Sequence, residues 1–202
     1  MSRIITISRE FGSGGRELGR RLADTLHFEY YDNEIISEIA KHTSLSESYV
    51  KQVLENSPHQ LFPITVGRSF MYAGSHSMEL AQSIYRAQHD IISELADKSD
   101  CVIVGRCADY ILRERNPFRI FVYSDIHSRV QRCMAHKREE EKDFTEKEMK
   151  QRILSIDKNR AKYYQFYTAT DWGDKLNYDL CINTSGKVIK EIVPVVAKFF
   201  AE

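Results

Sequence analysis

The residues best suited to chemistry lie near the start of the chain, in the stretch ISREFGSGGRELG. Here Arg16 and Glu17 directly follow a run of four small residues, Gly12, Ser13, Gly14 and Gly15. A glycine-rich turn between a strand and a helix points several backbone N–H groups into one hollow, and the helix dipole adds positive potential there. Such a hollow binds phosphate. A plain tight turn is the alternative, because glycine clusters also form turns without a ligand.

The run departs from the usual phosphate loop, G-x-x-x-x-G-K-[ST], in which the lysine reaches the β- and γ-phosphates and the hydroxyl holds magnesium. If Gly15 and Arg16 stand at the Gly-Lys positions, Glu10 replaces the first glycine and Glu17 the hydroxyl residue. A register one residue earlier fits the preceding strand equally well but puts Gly15 at the lysine position. The first register predicts Arg16 as the cation of the loop and Glu17 as a magnesium ligand.

Two further polar residues follow predicted strands. Arg106 comes just after the apolar run Cys101–Val104, where its guanidinium can hold a phosphate with two parallel hydrogen bonds. Asp32 follows a predicted strand at 28–31, and ligands of open α/β sheets bind beyond such strand ends. Each has an ordinary alternative, which is a solvated arginine for Arg106 and the N-cap of the next helix for Asp32.

Basic residues also recur along two predicted helices. Arg132 lies on the helix that starts near Ile126, and the charged run at 137–143 leads to a helix that carries Arg152, Asp157 and Arg160. A charged loop followed by spaced cations is what a mobile lid over a transferring phosphoryl group requires. The same helix is also explained by stabilising side-chain pairs three and four residues apart.

Short apolar runs alternate with helical patterns along the chain and must position these side chains. Strands are predicted at 4–7, 28–31, 101–104, 119–123 and 179–183. Such alternation predicts a parallel sheet covered by helices on both faces. The capping-box patterns at Ser44 and Thr145 predict two helix starts. An irregular insert is predicted at 56–77, a helix at 76–98, and a closing helix at 188–200 with Phe199 facing inward.

Composition limits the class of protein. The 202 residues suit one domain spanning 1–202, and 29 basic against 29 acidic residues give no field that would favour nucleic acid. The four cysteines show no CxxC spacing, and the seven histidines show no zinc-binding pattern. There is no signal peptide and no long apolar run, so we expect a cytoplasmic protein with no membrane partner.

The chain resembles the cytidylate kinase-like family, within the P-loop nucleoside monophosphate kinases. The resemblance covers nearly the whole length. It is carried by the glycine run together with CVIVGRCADYIL, DKNRAKYYQFYT, DWGD and NYDLCINTS. It implies a three-layer α/β/α P-loop fold with a five-stranded parallel sheet and a helical lid at about 137–167. It also implies that Mg²⁺ and ATP, as co-substrate, serve transfer of the γ-phosphoryl group to a nucleoside monophosphate, with CMP or dCMP as the first candidates.

The resemblance assigns roles to individual residues. The donor phosphates lie among Gly12, Ser13, Gly14, Gly15, Arg16 and Glu17, with Glu17 near the magnesium. The acceptor lies beside Asp32, Arg106, Asp157 and Arg160, and the charge of the moving group is met by Arg16, Arg132 and Arg160. Small-molecule nucleotides are thus the expected partners of a monomer or homodimer.

Two residues depart from the family pattern. Cytidylate kinases have an aspartate where this chain has Cys107, and an acceptor-binding arginine where it has Glu38. These departures favour a kinase of the same fold with another small acceptor. The altered phosphate loop favours a third possibility, a catalytically weak nucleotide-binding regulatory protein.

Overall fold

Five parallel strands form one sheet in the computed structural model, which describes residues 2–55, 71–137 and 139–200. The strands are β1 (Ile4–Arg9), β2 (Glu29–Tyr31), β3 (Cys101–Val104), β4 (Phe118–Tyr123) and β5 (Leu180–Asn183), in the order β2-β3-β1-β4-β5. Each neighbouring pair is parallel. The predicted five-stranded parallel sheet is therefore confirmed. The order also puts β1 at the centre, where successive connections run to opposite sides and ligands of such sheets bind.

Eight α-helices cover this sheet in the described part of the chain. They are α1 (Gly15–Leu26), α2 (Glu34–Thr43), α3 (Glu47–Glu55), α4 (Met71–Lys98), α5 (Ala108–Ile111), α6 (Ile126–Ala135), α7 (Glu146–Thr168) and α8 (Ile189–Ala197). None of these described helices is both long enough and apolar enough to cross a membrane.

The core has two main parts, one on each face of the sheet. Alternate residues of β3 divide between them, since Cys101 and Ile103 pack with α2 and α4 while Val102 and Val104 pack with α1 and α8. Side chains of successive strand residues point to opposite faces, so a strand buried on both faces reads as one continuous apolar run. This is the physical basis of the three-layer prediction, which the structure confirms.

Two predicted helix caps are corrected by the structure. Asp32 does not cap α2, because the N-cap position is Asn33 and the Asp32 carboxylate instead pairs with arginines. Ser44 is the C-cap of α2, with φ 56°, whereas the hydroxyl of Ser46 accepts the N–H of Tyr49 at the start of α3. The capping box at Thr145 is confirmed.

Two predicted boundaries are also corrected. The irregular insert at 56–77 is wrong for 71–77, which belong to α4, and its residues 56–70 lie outside the described part of the chain. The closing helix ends at Ala197, and Phe199 is 60% exposed instead of facing inward. Helix ends fray, so an apolar pattern places the last turn of a helix only to within one or two residues.

Candidate active site

The glycine run forms the turn between β1 and α1. Gly14 is the N-cap residue of α1 with φ 83°, and no side chain in the described part of the chain caps the helix. A Cβ atom at Gly14 would lie 2.4 Å from Cδ1 of Ile189, so both the backbone angle and the close packing require glycine. The first N–H groups of a helix have no acceptor within it, so those of α1 are available to an anion.

Side chains from the rest of the sheet hold the turn in place. Ser13 is fully buried, and its hydroxyl donates to the carbonyl of Glu10 at 2.9 Å. The hydroxyl of Thr184 donates to the carbonyl of Ser13 at 2.7 Å, and Nη1 of Arg132 donates to the carbonyl of Gly12 at 2.7 Å. Ser13 and Arg132, both predicted to bind phosphate or act on it, thus contact the loop backbone in this structure.

A buried arginine that the sequence did not single out joins the loop to two helices. Arg129 of α6 is 5% exposed, lies 3.1 Å from Oε2 of Glu10 and pairs with Asp157 of α7. Its Nε also donates to the carbonyl of Phe11 at 2.8 Å. Burial raises the pKa of both carboxyl groups, and the charge of Arg129 opposes that rise. A basic residue opposite an apolar helix face usually indicates solvent, so the sequence gives no signal for this burial.

Two adjoining cavities open at the carboxyl edge of the sheet. The first, called here the loop cavity, has a volume of about 1200 Å³ with its open mouth. Its lining includes seven predicted site residues, Gly12, Gly14, Gly15, Arg16, Glu17, Arg132 and Arg160. The first turn of α1 and its unpaired N–H groups therefore face a space large enough for the phosphates of a nucleotide.

The second space, called here the arginine cavity, has a volume of about 910 Å³ with its mouth. Among the described residues that line it, six are cations and none is a carboxylate; the cations are Arg9, Arg16, Lys51, Arg106, Arg152 and Arg160. Tyr163, Tyr164 and Trp172 form an aromatic part of the wall. A cavity lined by one sign of charge concentrates ions of the other sign, so this space favours an anionic ligand.

Asp32 lies next to two of these cations. It is 3% exposed, and its Oδ2 lies 2.6 Å from Nε of Arg16 while its Oδ1 lies 3.6 Å from Nη2 of Arg9. Asp32 does not itself line either cavity. Its negative charge affects both cavities indirectly, because Arg16 and Arg9, which line both, lie next to it. Sequence reasoning missed Arg9, although its place as the last residue of a central strand is a signal that could have found it.

Arg106 lies on a strained turn after β3. Gly105, Arg106 and Cys107 have φ values of 76°, 60° and 53°, a run of left-handed conformations that costs free energy at the two non-glycine residues. The amide of Gln88 holds the turn by donating to the carbonyl of Arg106 at 2.9 Å. Within the described part of the chain, Nε of Arg106 and the hydroxyl of Tyr163 are buried without a hydrogen-bond partner. Both side chains line the arginine cavity, where a ligand can supply the missing acceptors.

The predicted lid pair contacts the phosphate loop. The N–H of Phe11 donates to Oδ1 of Asp157 at 2.8 Å, and Nη1 of Arg160 donates to the carbonyl of Arg9 at 3.0 Å. Nη1 of Arg160 lies 3.7 Å from Oδ1 of Asp157. Arg160 lines both cavities, whereas Asp157 lines neither. The pair therefore connects α7 to the loop, and Arg160 alone reaches the open space.

The two departures from the family pattern have different surroundings. Cys107 is 5% exposed and lines the arginine cavity, and burial raises the pKa of its thiol well above the usual value. Glu38 pairs with Lys41 at 2.7 Å on the exposed face of α2 and does not line the cavity. The arginine cavity therefore has the neutral thiol of Cys107 in place of the family's aspartate, and Glu38, in place of the family's arginine, does not contact it.

The described residues include no cluster of three or more His, Cys, Asp or Glu able to hold a metal by themselves. Mg²⁺ in kinases typically takes one or two carboxylates, substrate phosphates and several waters. Glu17 lines the loop cavity, and its exposed pair with Arg21 at 2.7 Å is weak enough to exchange. Glu10 and Glu141 also line the loop cavity, but each pairs with a less exposed arginine. Glu17 is thus the lining carboxylate that best fits the predicted role.

Comparison with known proteins gives the family of the chain and its structural relatives. Residues 4–186 match the cytidylate kinase-like family. None of the curated proteins matches the chain. An uncharacterized protein from Eubacterium ventriosum ATCC 27560 is 27% identical, with 98% of each chain covered and a TM-score of 0.70.

Shikimate kinases are further structural relatives. The enzyme from Bacteroides thetaiotaomicron is 14% identical, with 98% of each chain covered and a TM-score of 0.55. The enzyme from Acinetobacter baumannii, solved in complex with shikimate, is also 14% identical, with 99% of this chain and 93% of that chain covered and a TM-score of 0.53. At this identity the likeness establishes the fold alone, which is that of the P-loop kinases.

Proposed function

The chain belongs to the cytidylate kinase-like family, and we propose that it transfers the γ-phosphoryl group of ATP to a small anionic acceptor, with CMP and dCMP as the first candidates. The observation that carries the proposal is the pair of adjoining cavities at the carboxyl edge of the sheet. They share four lining residues, Arg9, Phe11, Arg16 and Arg160. A phosphoryl group between two bound substrates would lie at this shared boundary.

The loop cavity is suited to the donor. The N–H groups at the start of α1 would bind the β-phosphate, and Arg132 would hold the loop in shape through the carbonyl of Gly12. Bound magnesium would neutralise charge on the donor phosphates, and Glu17, which lines the loop cavity, would supply a carboxylate to it. Phosphoryl transfer depends mainly on positioning and charge neutralisation, so no covalent intermediate with the protein is required.

The arginine cavity is suited to the acceptor. Arg106 would bind its anionic group, and the unpaired Nε of Arg106 and hydroxyl of Tyr163 would gain acceptors from it. An acceptor oxygen then forms a bond to the γ-phosphorus as the bond from that phosphorus to the bridging oxygen of ADP breaks. Arg160, which lines both cavities, would stabilise the charge of the group in transit.

The test is release of ADP from magnesium-ATP by the purified protein, with CMP, dCMP, UMP, AMP, GMP or no acceptor. We expect stimulation by CMP or dCMP well above the rate without acceptor. Arg106→Gln should then raise the KM for the acceptor with little change in the KM for ATP. Stimulation by none of the five nucleotides would refute the nucleoside monophosphate assignment.

A second candidate is a kinase with another small anionic acceptor. The observation that favours it is the absence of both family contacts, since Cys107 is neutral and Glu38 lies outside the cavity. The same assay with small carboxylic and phosphorylated polyols separates the two. If ATP binds and none of these acceptors stimulates ADP release, the regulatory alternative gains the support that the kinase proposals lose.

A further inference from the structure

One arginine that the motifs do not mark lies at the boundary between the two cavities. Arg9 is the last residue of β1 and lines both the loop cavity and the arginine cavity. Its side chain is only 13% exposed, and its carbonyl accepts a hydrogen bond from Arg160. The position combines a buried cation with a place between both candidate substrate sites.

Two glycines leave the space that the Arg9 side chain occupies. A Cβ atom at Gly15 would lie 2.5 Å from Cβ and 3.0 Å from Cγ of Arg9. A Cβ atom at Gly105 would lie 1.8 Å from Nη1 of Arg9. Neither distance is possible between real side chains, so residues 15 and 105 must lack a side chain while Arg9 keeps its conformation.

The contact between Arg9 and Gly15 joins the two positions at which the alternative register departs from the phosphate-loop pattern. In that register Arg9 replaces the first glycine of G-x-x-x-x-G-K, Gly14 is the second glycine, and Gly15 replaces the lysine. In this register the loop has an arginine at the first-glycine position and a glycine at the lysine position. The side chain of Arg9 lies against Gly15, so the added side chain occupies space beside the position that lacks one. The two departures are therefore next to each other in the folded protein.

Arg16, the cation expected from the other register, is differently placed. Its side chain is 48% exposed, and its charge is already met by Oδ2 of Asp32 at 2.6 Å. Arg9 lies farther from Asp32, at 3.6 Å. Burial and the nearby charges of Arg160, Arg106 and Arg16 lower the pKa of Arg9 to about 9, against the opposing effect of Asp32. Among the charged groups around Arg9, the cations outweigh the one carboxylate, Asp32, and a bound phosphate would add negative charge there.

We propose that Arg9, and not Arg16, is the cation that contacts the β- and γ-phosphates of the donor, in place of the lysine that the loop lacks. This assignment rests on the proposed function. Arg9 enters from the end of the central strand, and Gly15 and Gly105 are the residues that admit it. Arg16 instead keeps Asp32 neutralised at the edge of the arginine cavity.

The first test compares three substitutions of the same type, Arg9→Gln, Arg16→Gln and Arg3→Gln. Arg3 precedes the opposite end of β1 and pairs with Asp100 at 2.9 Å, which makes it a matched control. We expect Arg9→Gln to lower kcat by about 10³-fold, as loss of a major charge-stabilising donor does in other active sites. Arg16→Gln should lower kcat less than about tenfold, and Arg3→Gln should leave it unchanged. A larger loss in Arg16→Gln than in Arg9→Gln would overturn the assignment.

A rebuilt loop keeps the test valid if Arg9→Gln is poorly folded. Arg9→Gly combined with Gly15→Lys restores the G-x-x-x-x-G-K pattern and removes the contact that excludes a side chain at 15. We expect the double variant to have at least about tenfold higher kcat than Arg9→Gly alone. Equal activity of the two, with equal melting temperatures, would overturn the assignment.

Nucleotide binding separates this inference from the proposed function. If the wild-type protein binds ATP but transfers to no acceptor, the proposed function fails, and calorimetric titration with ATP and AMP still tests Arg9. We then expect Arg9→Gln to weaken binding of ATP by at least about tenfold more than binding of AMP, because AMP lacks the two outer phosphates. If Arg9→Gln binds ATP as the wild type does, the inference fails by itself.

Discussion

Replacing Arg129 with methionine removes the cation that lies between the carboxylates of Glu10 and Asp157. Methionine replaces the aliphatic part of the arginine side chain but does not reach as far, so the change removes the charge and the hydrogen bonds of the guanidinium group. The two carboxylates lose the cation that they share, and in the described part of the chain only Asp157 keeps another arginine nearby, with Arg160 at 3.7 Å. The carbonyl of Phe11 also loses its donor. We therefore expect loss of stability together with a looser attachment of α7 to the loop.

The size of the loss follows from burial. Removing one partner of a buried ion pair costs about 3–5 kcal/mol, since the other charge is left uncompensated. The side chains of Glu10 and Asp157 are 26% and 14% exposed, and water reaches them in part. We expect the lower value, about 3 kcal/mol at pH 8. For a chain of this size, that corresponds to a fall in Tm of about 6–12 °C.

The loss should depend on pH in a defined direction. Burial raises the pKa of Glu10 and Asp157 in the folded state, and without Arg129 both pKa values rise further. A folded state with raised carboxyl pKa values binds more protons than the unfolded state, so its stability rises as pH falls through those values. The deficit of Arg129→Met relative to the wild type should therefore be smaller at about pH 5 than at about pH 8.

Urea denaturation followed by circular dichroism at both pH values measures this effect. Arg113→Met is the matched control, because the pair of Arg113 with Glu114 is exposed and should contribute less than about 0.5 kcal/mol. A loss below about 1 kcal/mol in Arg129→Met at pH 8, or a deficit that does not shrink at low pH, would show that Arg129 does not hold the carboxylates as argued.

Three further changes test other parts of the structure by the same denaturation measurement. Gly14→Ala should lower the free energy of unfolding by about 2–3 kcal/mol, because it adds a steric contact to an unfavourable φ. Gly186→Ala is its control and should cost only about 1 kcal/mol, because Gly186 has φ 62° but open space around its Cβ position. Equal losses would rule out the steric contribution. Thr145→Ala should cost about 1 kcal/mol through loss of the capping box, and no loss would contradict its role. Tyr164→Phe removes the 2.7 Å hydrogen bond that the tyrosine hydroxyl donates to Asp109, and it should cost about 2 kcal/mol at pH 8. Burial raises the pKa of Asp109, so at pH 5 more of this carboxyl group is protonated and the cost should be smaller. A larger loss at pH 5 would contradict this.

Much of the fold follows from local patterns. The runs at 4–7 and 101–104 are short, rich in apolar residues and separated by helical periodicity, which is enough to predict a parallel sheet with helices on both faces. The local start of α7 was also predicted, because the Thr145 capping box needs residues only three positions apart. Helix starts without such a pattern were less certain, as Met71 and Asn33 show.

The candidate site likewise has features that the local sequence predicts and features that it does not. The glycine run and the position of Arg106 after a buried strand were visible in the sequence, since a turn between a strand and a helix is a local feature. The surroundings of Arg9 and Arg129 were not visible. Their partners Asp32 and Asp157 are distant in sequence, and no periodicity brings such pairs together.

The sequence by itself determined the sheet, its helical layers, and the glycine turn that ends its central strand. Only the tertiary structure decided which arginines are buried, which one Asp32 neutralises, and which one enters the space left by Gly15. The physical reason is the separation along the chain over which each kind of interaction acts. Backbone preferences and apolar patterns act over a few residues, whereas the charge balance of a cavity depends on every side chain that the folded chain brings to it.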